Sequence, residues 1–228
     1  MPVNPVPIVA FDFDGTLLEG HSPVRMIRRL SLRRVIPFSV AFKALWWGVR
    51  YKLRMQVEQK EVRGYIFSAF THLTAEEANE IMSNFYHEDL RQRLRPKALE
   101  AIRKHREAGD KIVLVSASFL PILREVKKDV GADWFICTQM EVEDGHYTSN
   151  IANPPPEGEQ KLVQLVAWAD AEYAETGWEL SVAYGDHYSD EPLLAAAQQA
   201  VAVNPDFGLE KVAKREGWQI VDWSFKVA

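Results

Sequence analysis

Short apolar runs, four to six residues long, alternate along the chain with longer helical patterns. The runs cover residues 6–11, 111–115, 180–184 and 200–203. Apolar runs without polar alternation are typical of strands that are buried on both faces of a parallel sheet. We therefore predict an α/β fold with a three-layer core, in which helices cover both faces of a parallel sheet.

Polar side chains follow three of these predicted strands. They are Asp12 after the first run, Ser116 after the second and the Gly185-Asp186 pair after the third. In an open parallel sheet, ligands bind at the carboxyl ends of the strands. We expect these separate motifs to meet in one crevice.

The first predicted strand is separated by about 80 residues from a helix that begins near Pro96. A crossover connection needs far fewer. The intervening pattern predicts helices over residues 23–34, 38–54, 56–70 and 75–90, and Thr74 with Glu77 forms a plausible capping box for the last. We predict a core of residues 1–18 and 92–228, with an all-helical cap, residues 19–91, inserted after the first strand. Residues 139–151 have a hairpin-like pattern around the turn dipeptide Asp144-Gly145.

The composition is that of one globular core with room for a small insert. A single cysteine, Cys137, and the lack of a recognisable leader predict a cytoplasmic protein. The longest apolar-rich stretch, residues 35–51, contains Lys43 and Arg50 and is too short for a membrane span.

Two carboxylates, Asp12 and Asp14, stand two positions apart where the first strand ends, so a turn of the chain can bring both to one ion. A carboxylate that attacks a phosphoryl group forms an aspartyl-phosphate and divides a difficult hydrolysis into two displacements. Asp12 is the candidate nucleophile. A second carboxylate can protonate the leaving group and later deprotonate water, and we assign this general acid/base role to Asp14.

The sequence Asp-Phe-Asp-Gly-Thr-Leu, which begins at Asp12, resembles the first motif of the haloacid dehalogenase superfamily of phosphatases. Ser116, Lys161 and the sequence Gly-Asp-His-Tyr-Ser-Asp, which begins at Gly185, match the remaining motifs in the same order. The resemblance covers essentially the whole chain and implies a Rossmann-like core. It also implies phosphate binding by Thr16, Ser116, Ala117 and Lys161. Lys127 and Lys128 are alternatives to Lys161 on a different helix.

The same resemblance implies a Mg²⁺ cofactor, which prefers octahedral oxygen ligands. Its protein ligands are expected to be Asp12, the main-chain carbonyl of Asp14, and Asp186. Asp190 is expected to act through water or to orient Lys161. His187 is not expected to bind the metal, because its neighbours supply enough oxygen atoms.

The helical insert resembles the C1-type cap of subfamily IB, the phosphoserine-phosphatase-like branch. Phosphoserine phosphatases usually have Ser at the position of Gly15, a Glu that grips the substrate amine at the position of His21, and Ser-Gly-Gly where this chain has Ser-Ala-Ser from Ser116 to Ser118. These differences argue against phosphoserine and mark His21 as a candidate specificity residue. The form of the second motif is more similar to loosely characterised hydrolases of the branch, some of which act on phospholipid head groups.

The predicted cap is basic although the whole chain has a net charge of −5. Residues 20–57 contain nine Lys or Arg and no acidic residue. Arg50 and Arg54 lie on one face of a predicted helix, and Arg25, Arg29 and Arg33 form a stripe on the preceding one. Such faces bind an anionic substrate or an anionic membrane surface, or are merely solvated.

We predict a phosphatase acting on a small phosphorylated metabolite, without a nucleic-acid partner. Peripheral contact with an anionic membrane, and with it a phospholipid phosphate as substrate, is kept as an alternative. Two further alternatives use the same scaffold: a non-hydrolytic phospho-acceptor or binding module, and a phosphotransferase. Two features argue against the phospho-acceptor: Asp14, which supplies the acid/base needed to complete hydrolysis, and the inserted cap, which a receiver-like domain lacks.

Overall fold

The computed structural model describes residues 4–32 and 70–225. Six strands form one sheet and two more form a hairpin beside it. We number them in chain order: β1 (Val6–Phe11), β2 (Lys111–Phe119), β3 (Trp134–Thr138), β4 (Met140–Glu143), β5 (His146–Ile151), β6 (Trp178–Gly185), β7 (Gln199–Val203) and β8 (Gln219–Val221).

The described part of the chain also contains seven α-helices. They are α1 (Ser22–Leu32), α2 (Ala75–Phe85), α3 (Pro96–Ala108), α4 (Leu120–Val130), α5 (Glu159–Glu172), α6 (Glu191–Ala196) and α7 (Phe207–Glu216). A π-helical turn, Tyr86–Leu90, and a 3₁₀ turn, Arg91–Arg93, follow α2, and a second 3₁₀ turn, Tyr188–Asp190, precedes α6. The predicted helices over residues 38–54 and 56–70 lie essentially outside the described residues.

The main sheet has the order β3-β2-β1-β6-β7-β8, and all its strands are parallel. The chain runs outward from β1 through β2 to β3 and then returns to the other side of β1. The strand order therefore reverses next to β1, which is where ligands bind in sheets of this type. All four predicted strands are confirmed, whereas β3 and β8 were not predicted.

Both faces of the sheet are covered, as the uninterrupted apolar runs predicted. Val9 and Phe11 of β1 pack with residues of α3 and α4 on one face. Ile8 and Ala10 pack with residues of α5, α6 and α7 on the other. Since successive side chains of a strand point to opposite faces, β1 needs apolar residues at every position. The three-layer α/β fold is thus confirmed.

The insert leaves the core and returns to it at neighbouring positions. Leu18 forms an antiparallel bridge with Leu94, and the Glu19 N–H donates to the Arg93 carbonyl at 2.9 Å. Both described helices of the insert are amphipathic, and their apolar residues, such as Met26 and Met82, join the core on the β1 face that carries Phe11. The division at residues 18/19 and 91/92 remains our proposal for the domain boundary.

Two contacts hold α2 and the turn after it against the core. The Thr74–Glu77 capping box begins α2 as predicted, and the predicted hairpin β4–β5 packs beside it through a Tyr147 hydroxyl that donates to Asn79 at 2.5 Å. On the other side, the Tyr86 hydroxyl donates to Asp129 of α4 at 2.6 Å. Within residues 4–32 and 70–225, no helix combines the length and the apolar character needed to span a membrane.

Candidate active site

The first site residue, Asp12, stands where β1 ends. Its N–H donates to the Tyr184 carbonyl of the neighbouring strand at 3.0 Å. The preceding Phe11 ring is stacked on the Tyr184 ring, with centroids 4.3 Å apart, and the Tyr184 hydroxyl lies 2.8 Å from Nε2 of His105. The backbone that carries Asp12 is therefore fixed from the β6 side and from α3.

Lys161, on the first turn of α5, contacts two carboxylates at once. Its Nζ lies 2.5 Å from Oδ1 of Asp12 and 2.6 Å from Oδ1 of Asp190. Asp12 is 5% exposed and Lys161 is 4% exposed. Burial alone would lower the pKa of Lys161, but the charges of Asp12 and Asp190 outweigh it and raise the pKa. Lys161 therefore stays charged at neutral pH. The alternatives Lys127 and Lys128 lie on α4, where Lys128 pairs with Glu125.

Asp190 has no freedom to rotate. While its Oδ1 contacts Lys161, its Oδ2 accepts the N–H groups of Asp186 and His187, each at 3.1 Å. Hydrogen bonds to every side of a buried carboxylate fix its position. Asp190 thus connects Lys161 to the loop that carries Asp186. The His187 ring accepts the Ser189 N–H at 3.2 Å and lies 3.6 Å from Asp206.

Asp186 extends from the end of β6 towards the loop after β1. Its Oδ1 accepts a hydrogen bond from the Thr16 hydroxyl at 3.2 Å. Gly15 passes so close that a Cβ atom built on it would lie 2.0 Å from Oδ2 of Asp186, and the φ angle of Gly15 is +89°. Only glycine fits this backbone without displacing the carboxylate.

Carboxylate oxygens of Asp12, Asp186 and Asp190 all lie within 4.8 Å of one another. The pKa of Asp12 is raised to about 7 by burial, with the charges of Asp190 and Asp14 adding to this effect and Lys161 opposing it. The pKa of Asp186 is raised well above its ordinary value by burial and by the charges of Asp12 and Asp190. One lysine offsets only part of this negative charge. A hard divalent cation that prefers oxygen ligands, such as Mg²⁺, fits these three carboxylates.

The carboxylate of Asp14 contacts the first residue of α1. Its Oδ1 accepts the Ser22 N–H at 2.5 Å, and its Oδ2 accepts the Ser22 hydroxyl at 2.9 Å. Burial raises the pKa of Asp14, and the hydrogen bonds from Ser22 and the nearby charge of His21 oppose this rise. The carboxylate of Asp14 is therefore not part of the cluster formed by Asp12, Asp186 and Asp190, and metal binding by its main-chain carbonyl stays a prediction.

The second motif lies at the end of β2, beside β1. Ser116 is buried, and its hydroxyl accepts the Ser118 N–H at 3.1 Å. The Ala117 carbonyl accepts the Thr138 hydroxyl at 2.8 Å. Ser118 does not cap the following helix, because β2 continues to Phe119, and Phe119 itself precedes α4 without a side-chain cap. The hydroxyl of Ser118 lies 3.0 Å from that of Ser22 instead.

The candidate cap residues are only partly described. His21 is exposed at the start of α1, near Asp14. The side chain of Arg25 pairs with Asp89 at 3.2 Å, and that of Arg29 pairs with Glu88. These two arginines face acidic partners of the insert itself, so they add little to a membrane-binding surface. Arg33, Arg50 and Arg54 lie outside the described residues, and their predicted roles stay predictions.

Two site residues were missed from the sequence: Ser22 as the partner of Asp14, and Ser118 as the partner of Ser22. A local signal existed for Ser22, because Ser before Pro is typical of a helix start. No local signal could show that its hydroxyl turns towards Asp14 rather than towards its own helix.

Comparisons with known proteins agree on one family. The family model described as haloacid dehalogenase-like hydrolase matches residues 9–195. A phosphoserine phosphatase of Mycobacterium tuberculosis is 25% identical over 232 residues, which cover 100% of this chain and 73% of that protein. A histidinol-phosphatase of Neisseria meningitidis is 34% identical over 151 residues, which cover 65% of this chain and 68% of that protein. A protein of unknown function from Bordetella pertussis superposes with a TM-score of 0.85 at 25% identity, over 97% of this chain and 100% of that chain.

Proposed function

The chain belongs to the haloacid dehalogenase-like hydrolases, in their phosphoserine-phosphatase-like branch, and on this basis we propose a magnesium-dependent phosphatase that works through an aspartyl-phosphate on Asp12. Its relatives include two named phosphatases, and the chain is a phosphoric monoester hydrolase. The observation that carries the mechanism is the buried ammonium of Lys161 between Asp12 and Asp190, beside Asp186.

Asp12 acts first in the proposed mechanism. One of its carboxylate oxygens attacks the phosphorus atom, the bond from phosphorus to the ester oxygen breaks, and the departing oxygen takes a proton from Asp14. Lys161 remains charged beside Asp12 and offsets the negative charge of the transferring group. Ser116 and Ala117, at the end of the neighbouring strand, are the groups we propose to hold the phosphate oxygens.

In the second half-reaction, Asp14 has become a carboxylate and takes a proton from water. The water oxygen bonds to phosphorus, and the bond from phosphorus to Asp12 breaks, which regenerates both carboxyl groups and releases phosphate. A bound Mg²⁺ would lower the repulsion between the phosphate and the carboxylates that hold it. We propose Asp12, the Asp14 carbonyl and Asp186 as its ligands, with Asp190 orienting the site.

The substrate we propose is the phosphomonoester of a small metabolite. Phosphoserine and histidinol phosphate are the compounds named by the relatives, so both belong in the first panel tested. His21 replaces the Glu expected for gripping a substrate amine, which favours a substrate without a free ammonium group at that point. A membrane phospholipid remains a prediction that rests on cap residues outside the described part of the chain.

The test uses 4-nitrophenyl phosphate, whose phenolate leaves with little help from an acid. Asp12→Asn should abolish nitrophenol release in the presence of Mg²⁺. Asp14→Asn should release about one equivalent of nitrophenol per enzyme in a burst, followed by slow turnover, because the phosphoenzyme forms but lacks the base for its hydrolysis. Glu107→Gln, an exposed change on α3, should behave like the parent. Full turnover by Asp12→Asn would overturn the nucleophile assignment.

A further inference from the structure

A serine of the insert holds the general acid/base of the core. Both carboxylate oxygens of Asp14 accept hydrogen bonds from Ser22, one from its N–H and one from its hydroxyl. Ser22 is the first residue of α1 and is only 1% exposed. A carboxylate that is held at both oxygens by one helix end cannot turn without losing both bonds, so its direction follows that of α1.

The hydroxyl of Ser22 makes its contacts outside its own helix. It lies 2.9 Å from Asp14 and 3.0 Å from the hydroxyl of Ser118. A serine at a helix start ordinarily accepts an N–H of its own first turn, and a serine further along a helix can donate to a carbonyl of the preceding turn, as Ser31 does to Ile27 at 2.7 Å. The orientation of Ser22 is therefore not explained by the needs of α1.

Ser118 extends the connection to the phosphate-binding motif. Its N–H donates to the Ser116 hydroxyl at 3.1 Å, and its own hydroxyl faces Ser22. Three buried serines, Ser22, Ser118 and Ser116, thus link Asp14, the proposed acid, to the proposed phosphate-binding motif. The Ser-Gly-Gly form of the second motif has no hydroxyl at the position of Ser118, so this link is a feature of the Ser-Ala-Ser sequence found here.

We infer that Ser22 is a positioning residue for general acid catalysis, and that Ser118 fixes its hydroxyl towards Asp14. The inference rests on the proposed role of Asp14 as the acid. Correct placement of a catalytic group within hydrogen-bond reach is a large part of its effect on the rate. Loss of the Ser22 hydroxyl leaves only the N–H bond to one oxygen of Asp14, and the acid becomes free to rotate away from the leaving oxygen.

Leaving-group dependence separates this role from a structural one. We would measure kcat/KM for phenyl phosphate and for 4-nitrophenyl phosphate, which have similar shapes but differ in how much they need an acid. The ratio of the two values, phenyl over nitrophenyl, reports acid catalysis in the first chemical step. Asp14→Asn should lower this ratio by about tenfold or more, since general acid catalysis contributes roughly 10²–10⁴-fold. Ser22→Ala should lower it by at least about threefold, as part of that contribution.

Three further variants complete the set. Ser22→Thr keeps a hydroxyl and should restore the ratio, Ser118→Gly should lower it in the same direction as Ser22→Ala, and Ser31→Ala should leave it unchanged. If Asp14→Asn lowers the ratio and Ser22→Ala does not, the positioning role is wrong while the proposed function stands. If Asp14→Asn leaves the ratio unchanged, the acid role itself is wrong. A uniform loss on both substrates in Ser22→Ala, with a lowered melting temperature, would also overturn the inference.

Discussion

The Nζ atom of Lys161 lies 2.5 Å from Oδ1 of Asp12, and both side chains are almost completely buried. Residues 149 positions apart in the sequence therefore form one ion pair at the end of β1. Removing one partner of a buried pair leaves the other charge without compensation. The activity and the ionisation of Asp12 should consequently both depend on Lys161.

Lys161→Met should reduce kcat/KM for 4-nitrophenyl phosphate by about 10²-fold or more, as expected for the loss of a group that offsets transition-state charge. The pKa of Asp12, already raised by burial, should rise further because Lys161 opposes that rise. Lys127→Met is the matched control, since Lys127 lies over the Trp134 ring on the outside of α4. Equal losses in the two variants would contradict the assignment of Lys161.

The stabilising effect of Mg²⁺ should grow as the pH rises towards and through neutrality. Burial raises the pKa of Asp12 from 3.8 to about 7, so between these values the folded, metal-free protein holds a proton that the unfolded chain has lost. The extra stability that this proton gives to the folded state is present below about pH 4 and is lost as the pH rises through 7. Mg²⁺ bound at the proposed ligands would replace that proton and would stabilise the folded state, so its effect should be larger where the proton is absent.

Thermal unfolding with and without Mg²⁺, at a series of pH values on both sides of the Asp12 pKa, measures this effect. Asp186→Asn should lose most of the Mg²⁺-dependent increase in melting temperature at every pH. An increase that is independent of pH, or one that survives in Asp186→Asn, would be inconsistent with a metal held by this cluster.

Gly15→Ala should damage the site rather than the fold. The added Cβ would lie 2.0 Å from Oδ2 of Asp186, so that carboxylate has to move. Gly109→Ala is a close control, because Gly109 has a φ of +90° against +89° for Gly15 but has nothing within 4 Å of the new atom. Both variants should lose about 1–2 kcal/mol through backbone strain. Only Gly15→Ala should also lose Mg²⁺ affinity and turnover, which titration calorimetry and kinetics would show.

Tyr86→Phe should weaken the attachment of the insert to α4. The Tyr86 hydroxyl is the donor in a 2.6 Å hydrogen bond to Asp129, and the ring is fully buried. Loss of a hydrogen bond to a charged group costs about 1.5–3 kcal/mol. Each kcal/mol lowers the melting temperature by roughly 2–4 °C for a chain of this size. Tyr188→Phe, at an exposed tyrosine, should change the melting temperature by much less. Equal melting temperatures for Tyr86→Phe and the parent would show that this contact is not stabilising.

The parts of the fold that were predicted are those with a local signal. β1, β6 and β7 are apolar runs that end at turn or polar residues, and the Thr74–Glu77 capping box marks the start of α2. β3 was missed because it is an edge strand whose first residue, Trp134, is 45% exposed, and β8 because it has only three residues. An edge strand has a neighbouring strand on one side only, and its side chains are less completely buried, so its apolar pattern is weaker.

In the candidate site, too, the predicted features are those with a local sequence signal. The motifs place Asp12, Lys161, Asp186 and Asp190 in one crevice because each stands at a strand end or on the following helix, and the structure brings these four side chains together. The contact between Ser22 and Ser118 joins residues 96 positions apart through their side chains. Such a contact depends on how α1 packs against β2, which no sequence pattern encodes locally.

Leu18 and Leu94 lie side by side where the insert departs and returns. Because the chain leaves the core and re-enters it at adjacent positions, an insert of a different length would fit there without a change in the strand order of the sheet or in the position of Asp12. On the proposed domain division, replacement of the whole insert would change substrate choice while Asp12, Lys161 and Asp186 stay in the core. Ser22 would be the exception, because it lies in the proposed insert but donates two hydrogen bonds to Asp14 of the core. A replacement insert would have to supply a donor of its own at that point.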